Sequence, residues 1–251
     1  MANGCVSAER ILGKLDEHLH KNDYAAAERH LSFWLSEARA AKDVRIELLI
    51  QNERMGLYRK LSQREQALAC ASAALSVVEE QGISQMVGAA TTLLNAATVY
   101  KAFGMAEDAL PLFEQARAVY ERELAQDDTR LAGLYNNMAL ALVDLGRFQE
   151  AVLLYRQALQ IVEAEENGAP EAAVTYLNIA TAKEAELGSL AAEEQISLCL
   201  EKAKQLLEGY KERNGNYAFV CEKCASVFGY YGYFRYEKEL KERARRIYEG
   251  A

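Results

Sequence analysis

Proline is nearly absent from this sequence of 251 residues, which contains 2 Pro and 15 Gly. Residues that break helices are therefore scarce, and the composition favours long helices joined by short turns. Nothing in the sequence suggests β-structure. The hydrophobic fraction of 51% is ample for a continuous core. We therefore expect an all-α protein.

The sequence also lacks an excess of basic residues, because 37 Asp and Glu outnumber 29 Lys and Arg and leave a net charge of −8. Non-specific binding to nucleic acid or to an anionic membrane needs a basic surface, so neither partner is expected. No stretch approaches the roughly 18 apolar residues of a membrane span, and the N-terminus shows no basic region followed by an apolar run. These absences predict a cytoplasmic protein.

Residues that hold metals or perform catalysis are few and badly placed. His18 and His20 are two residues apart and lie on different sides of one helix, which is poor geometry for a metal. There is no Gly-rich phosphate loop and no nucleophile motif. An odd number of scattered cysteines fits buried free thiols better than a disulfide framework; they are Cys5, Cys70, Cys199, Cys221 and Cys224. The sequence predicts no cofactor, no metal site and no enzyme.

One stretch, residues 131–159, has the pattern of a complete helix–turn–helix unit. Both halves carry apolar residues at helical spacing, and Gly146 separates them. Small residues at Ala139, Ala151 and Ala158 let two antiparallel helices approach closely. Such a unit cannot bury its apolar face alone, so neighbouring copies are expected.

The pattern recurs at a fixed distance along the chain. Ala109 precedes Ala151 by 42 residues, and Ala67 precedes Ala109 by 42 again. Gly104 likewise precedes Gly146 by 42 residues. Two equal offsets predict a repeat array of roughly six units.

The unit resembles the tetratricopeptide repeat. The matching positions are Tyr135, Met138, Ala139 and Leu142 in the first helix, Gly146 and Phe148 in the turn, and Ala151, Tyr155 and Ala158 in the second helix. A period of about 42 rather than about 34 residues, together with the run 134–139, resembles the long-repeat subtype found in kinesin light chains. This resemblance implies a right-handed α-solenoid whose first helices line a concave face.

We interpret the whole chain as one such solenoid of about six antiparallel helix pairs. A longer turn is expected at Gly188–Ala191, and an aromatic turn is expected at Gly229–Phe234. The last pair is degenerate, and its charged second helix is expected to cap the array. The predicted units cover residues 7–42, 43–82, 84–125, 127–168, 171–212 and 216–251.

Asparagine recurs at one place in three consecutive first helices. Asn95 precedes Asn137 by 42 residues, and Asn137 precedes Asn178 by 41, whereas Asn52 is one residue out of register. An asparagine side chain donates and accepts at once, so a row of them can bind an extended peptide through its backbone. The resemblance implies the same role, because the equivalent asparagines of kinesin light chains contact bound peptide. The alternative is that these side chains bond to the neighbouring repeat and hold the array together.

This ladder predicts a non-catalytic scaffold that binds an extended peptide or protein segment on its concave face. The expected contacts are Asn95, Asn136, Asn137, Asn178, Thr98, Thr181 and Lys101. A rival hypothesis is a peptide-sensing regulator that resembles the tetratricopeptide receptors of bacterial quorum sensing.

Two further motifs allow other interpretations. Cys221 and Cys224 share one helix face, as a redox or half-zinc site requires, but no second cysteine pair accompanies them, so buried structural thiols are preferred. An aromatic segment near the C-terminus either caps the last hydrophobic layer or mediates a homodimer, because tyrosine is favoured at interfaces. Its residues are Tyr230, Tyr231, Tyr233 and Phe234.

Overall fold

The computed structural model describes residues 7–250, and every regular element in that range is an α-helix. Cys5, which is predicted to be a free thiol, lies outside the described residues. So does the start of the N-terminal segment, which is predicted to have no basic region followed by an apolar run. Two compact units are present, unit 1 up to Glu123 and unit 2 from Leu124. The helices of unit 1 are α1 (Ala8–His20), α2 (Tyr24–Ala41), α3 (Val44–Lys60), α4 (Arg64–Glu80), α5 (Val87–Ala102) and α6 (Ala106–Glu123). Those of unit 2 are α7 (Thr129–Asp144), α8 (Phe148–Val162), α9 (Ala169–Leu187), α10 (Glu193–Gly209), α11 (Gly215–Tyr230) and α12 (Phe234–Glu249).

Each unit is built from antiparallel helix pairs that also pack against their neighbours. In unit 1, α3 contacts its own partner α4 and the next first helix, α5. In unit 2, α9 contacts its partner α10 and the first helices on both sides, α7 and α11. The predicted all-α class of stacked helix pairs is thereby confirmed. A single solenoid running through both units stays a prediction. None of the described helices combines the length and the apolarity that crossing a bilayer requires.

Alanines at the repeat spacing permit this close packing. Ala67, Ala109 and Ala151, each 42 residues from the next, are all 0% exposed. A larger side chain at any of them would separate the two helices of its pair, because interiors pack without spare volume. In the fifth pair the alignment shifts by three residues, and Leu200 and Ala203 are buried there as expected.

The turn inside each helix pair depends on one residue in the left-handed region. These residues are Asn22, Ser62, Gly104, Gly146, Gly188 and Gly232, with φ between 52° and 85°. At five of them, all but Gly188, the next backbone N–H donates to the carbonyl five residues earlier, for example Arg147 N to Leu142 O at 2.8 Å. This bond is the mark of a Schellman motif, which ends a helix and satisfies its last carbonyls. The turn chemistry therefore repeats with the sequence period.

One turn is longer than the others, and another is shorter than predicted. The predicted long turn is confirmed, because α9 ends at Leu187 and α10 begins only at Glu193. The predicted aromatic turn was too long. Helix α11 continues through Gly229 to Tyr230, and the turn comprises only residues 231–233. Gly232, with φ of 85°, sets the end of the helix, whereas Gly229 is an ordinary helical residue.

Two buried tyrosines give a matched test of the packing. The Tyr155 hydroxyl is buried and has no hydrogen-bond partner among the described residues, whereas the Tyr120 hydroxyl lies 2.7 Å from Thr91 Oγ1. Burial raises the pKa of Tyr155 far above its usual range. Tyr155→Phe removes an unsatisfied group, so we expect it to raise the free energy of unfolding by about 0–1 kcal/mol. Tyr120→Phe breaks a bond and should lower it by about 1 kcal/mol.

Urea unfolding followed by circular dichroism measures both free energies. The packing argument is wrong if Tyr155→Phe destabilises the protein as much as Tyr120→Phe does.

Candidate functional site

A cleft of about 460 Å³ lies in unit 2 between the first helices α7, α9 and α11. The connection between α8 and α9 lies at one end of it. Its volume falls within the range of small ligand sites, roughly 300–1,000 Å³. Its uncharged polar lining includes Asn136, Asn137, Thr175, Asn178 and Asn216, its apolar lining includes Leu140, Val174, Phe219 and Val220, and its charged lining is Glu165, Glu171 and Lys223.

The polar residues on α7 and α9 form a hydrogen-bonded chain. Asn178 Nδ2 donates to Asn136 Oδ1 at 2.9 Å, and Asn136 Nδ2 donates to Thr175 Oγ1 at 3.1 Å. Thr175 is 1% exposed and donates in turn to Glu171 O. Because the chain joins two first helices, it holds them in register. Of the three asparagines in the predicted ladder, Asn178 therefore makes the bond to a neighbouring repeat that the structural alternative expects.

The same arrangement occurs incompletely in unit 1. Asn52 Nδ2 on α3 donates to Thr92 Oγ1 on α5 at 3.2 Å, which is the counterpart of the bond from Asn136 to Thr175. Asn95 lies three residues after Thr92, as Asn178 lies three after Thr175. Within residues 7–250, however, Asn52 Oδ1 is buried without a hydrogen-bond partner, so Asn95 does not close the chain as Asn178 does. Asn52 therefore takes the place of Asn136 and, like Asn136, lies one residue out of register with Asn95 and Asn137, as the sequence spacing indicated.

Asn137 differs from Asn136 and Asn178 in its hydrogen bonding. Its Nδ2 donates to Gly133 O of its own helix at 2.8 Å and to no neighbouring helix among the described residues. It is one position beyond Asn136, which turns its side chain about 100° around α7. It still lines the cleft. Asn137 therefore lines the cleft without joining α7 to another helix, unlike Asn136 and Asn178.

The remaining predicted contacts lie elsewhere. Asn95, Thr98 and Lys101 belong to unit 1, and the Thr98 hydroxyl donates to Leu94 O of its own helix at 2.8 Å. Thr181 is in unit 2 but outside the lining of the cleft, and it donates to Leu177 O. The structure thus brings Asn136, Asn137 and Asn178 into one cleft, and the binding role of all seven residues stays a prediction.

Sequence reasoning missed several lining residues, above all Phe219 on α11. Its ring is 48% exposed, and Lys223 Nζ lies 5.3 Å from the ring centroid. Thr175 and Asn216 were missed as well; Asn216 Nδ2 donates to Glu171 Oε1 at 2.8 Å. The shared spacing of Thr92 to Asn95 and Thr175 to Asn178 was the available signal for Thr175.

The aromatic segment is divided between core and surface. Tyr231 and Tyr230 both donate to Glu184 on α9, at 2.9 and 3.2 Å, and Tyr233 packs edge-on against Phe228. Tyr230 and Phe234 nevertheless expose 71% and 70% of their surface. A homodimer through this segment stays a prediction, and these two residues are the ones that it would bury.

The cysteine pair is buried. Cys221 and Cys224 are 0% and 1% exposed, and burial raises the pKa of Cys224 to about 12. Burial raises the pKa of Cys221 as well. Reactive cysteines are exposed and have lowered pKa values, so this environment opposes a redox role. Within residues 7–250, no cluster of three or more His, Cys, Asp or Glu side chains is arranged to hold a metal ion.

Comparison with known families identifies the repeated unit. Two family models described as tetratricopeptide repeat match the chain, one over residues 48–122 and the other over residues 131–165. The chain contains tetratricopeptide repeats. The two matches cover most of α7, all of α8 and most of the stretch from α3 to α6. The 42-residue period is clearest in these segments.

Solved structures share this tetratricopeptide repeat fold. BtubC (BKLC) from P. vanneervenii is 21% identical with a TM-score of 0.67, over 81% of this chain and 82% of that one. NprR in complex with its cognate peptide NprX is 16% identical with a TM-score of 0.62, over 95% and 67%. A putative kinesin light chain from Podosopora anserina is 20% identical with a TM-score of 0.53, over 78% and 92%. No curated protein matches the sequence. At these identities the likeness establishes the fold alone.

The hydrogen-bonded chain in unit 2 makes a stability prediction. Thr175→Val removes the acceptor of Asn136 Nδ2 and leaves this partly buried group unpaired, so we expect a loss of about 1–2 kcal/mol in the free energy of unfolding. Thr98→Val is the matched control, because it makes the same change in a first helix where the hydroxyl bonds, among the described residues, to a carbonyl of its own helix. The control should cost less than about 0.5 kcal/mol. Equal losses in urea unfolding would show that the link between α7 and α9 does not stabilise unit 2.

Proposed function

We propose that the cleft in unit 2 binds an extended peptide segment of another protein. The observation that carries this proposal is the row of amide side chains, Asn136, Asn137 and Asn178, along a cleft of about 460 Å³ between three first helices. Stacked helical repeats use their concave surfaces for binding. The proposed function is therefore that of an interaction scaffold, and it involves no catalysis.

The amides suit a peptide backbone. An extended peptide presents N–H and C=O groups on alternating sides, and an asparagine side chain can satisfy one of each. Asn137 commits one N–H to Gly133 O, which leaves its second N–H and its oxygen for a ligand. Asn178 commits one N–H to Asn136 and keeps the same capacity. Backbone recognition of this kind is independent of the peptide side chains.

The fold of NprR, whose solved complex contains its cognate peptide, supports a peptide as the class of ligand. A peptide-sensing regulator is accordingly the second candidate function. The two candidates differ in their consequence, because a regulator changes its affinity for a further partner when the peptide binds, by a coupling free energy of about 1–3 kcal/mol. A scaffold shows no such coupling.

A screen of the purified protein against a phage-displayed library of random linear peptides tests the proposal. Asn137→Ala is the decisive variant, because it removes a cleft amide without breaking a bond between helices. We expect the selected peptides to bind this variant about tenfold more weakly than the parent, the effect of losing about 1.4 kcal/mol. Isothermal titration calorimetry with synthetic copies of the peptides measures the affinities.

The matched control is Gln160→Ala, which removes an exposed amide on α8 outside the cleft. It should leave the affinity unchanged. Asn95→Ala tests separately whether unit 1 contributes. The proposal is overturned if the parent selects no peptides, or if Asn137→Ala and Gln160→Ala bind them equally well.

A further inference from the structure

The side chains around the amide row in unit 2 are charged in one part of the cleft and apolar in another. The α8 to α9 connection and the first turn of α9 contribute two carboxylates, Glu165 and Glu171. Helix α11 contributes the apolar ring of Phe219 together with Val220, and α9 adds Val174. A ligand that only needed backbone recognition would not require either group.

The carboxylates give one end of the cleft a negative potential. Glu165 is exposed at the cleft edge, and Glu171 Oε1 accepts a hydrogen bond from Asn216 Nδ2, which fixes that carboxylate at the cleft wall. The third charged side chain of the lining, Lys223, belongs to α11, and its Nζ is directed to the face of the Phe219 ring, 5.3 Å from the centroid. The net charge of the lining is therefore −1, and that of the chain is −8. Both favour a cationic partner.

Phe219 supplies the apolar part of the site. A ring that is 48% exposed in a cleft loses water from a large apolar area when a side chain covers it. Lys223 Nζ lies over this ring and restricts the directions from which a ligand can reach it. Partly exposed aromatic residues in concave sites are typical anchors of binding energy.

We infer that the cleft is selective for a segment that places a positively charged group, a Lys or Arg side chain or a free amino terminus, at Glu165 and Glu171 and an apolar side chain against Phe219. This inference rests on the proposed function, and it adds the chemistry of the ligand to it. The amide row contacts the backbone of the segment, and the residues around it determine which sequences bind.

The test uses the peptides selected from the phage-displayed library. We expect them to be enriched in Lys or Arg together with an apolar residue, relative to the unselected library. Glu165→Gln should weaken binding of a synthetic selected peptide about two- to fivefold at low salt, which corresponds to an exposed ion pair, and less at high salt. Glu166→Gln is the matched control, because Glu166 is the exposed neighbour outside the lining, and it should change the affinity less than about 1.5-fold.

The apolar contact has its own variant. Phe219→Ala should weaken binding about tenfold, whereas Leu198→Ala, which truncates an exposed residue of α10 outside the cleft, should have no effect. Circular dichroism confirms that each variant is folded.

The outcomes distinguish a failure of the predicted ligand selectivity from a failure of peptide binding itself. Selected peptides with no basic enrichment, or equal effects of Glu165→Gln and Glu166→Gln, overturn the charge selectivity and leave peptide binding intact. Equal effects of Phe219→Ala and Leu198→Ala overturn the apolar contact. A library that yields no binders overturns the proposed function and this inference together.

Discussion

The architecture depends on the inability of one helix pair to bury its own apolar face. Every pair therefore needs a neighbour, and the distance between the two helices of a pair is limited by the alanines that recur every 42 residues, such as Ala109 and Ala151. The bulky residues beside them, Phe113 and Tyr155, fill the remaining space and are fully buried. Packing of this kind is local in sequence, so each pair is specified mainly by itself and by the pairs on either side.

The asparagines show how one residue type serves two purposes on the same surface. Asn136 and Asn178 join α7 to α9, and they also line the cleft. Asn137, one position further on, bonds within its own helix. Hydrogen bonds between helices hold the amides in fixed directions, which lowers the entropy that a ligand would otherwise lose for them on binding. A structural role and a binding role are therefore compatible in one side chain.

Much of the fold follows from the sequence because its signals are short-range. The alanine spacing, Gly146 and the long turn after Leu187 were all predictable from one repeat compared with the next. The cleft was not, since its position depends on how α7, α9 and α11 are offset along their axes. Asn136 and Asn137 are adjacent, so a shift of one residue in the alignment of the repeats exchanges one for the other. The repeat spacing alone pointed to Asn137, whereas Asn136 makes the bond between helices. Phe219 was missed because an apolar residue in a helix is expected in the core.

The turns differ in one respect that matters for engineering. Within most pairs the connection has three residues and is closed by the Schellman bond, whereas α9 and α10 are joined by five residues that include Leu190, 90% exposed. Loop tips of this kind accept added sequence with little thermodynamic cost. Residues 189–191 are therefore the natural place to graft an epitope, a fluorophore tag or a second binding loop. An insertion into one of the three-residue turns would displace both of the helices that the turn joins.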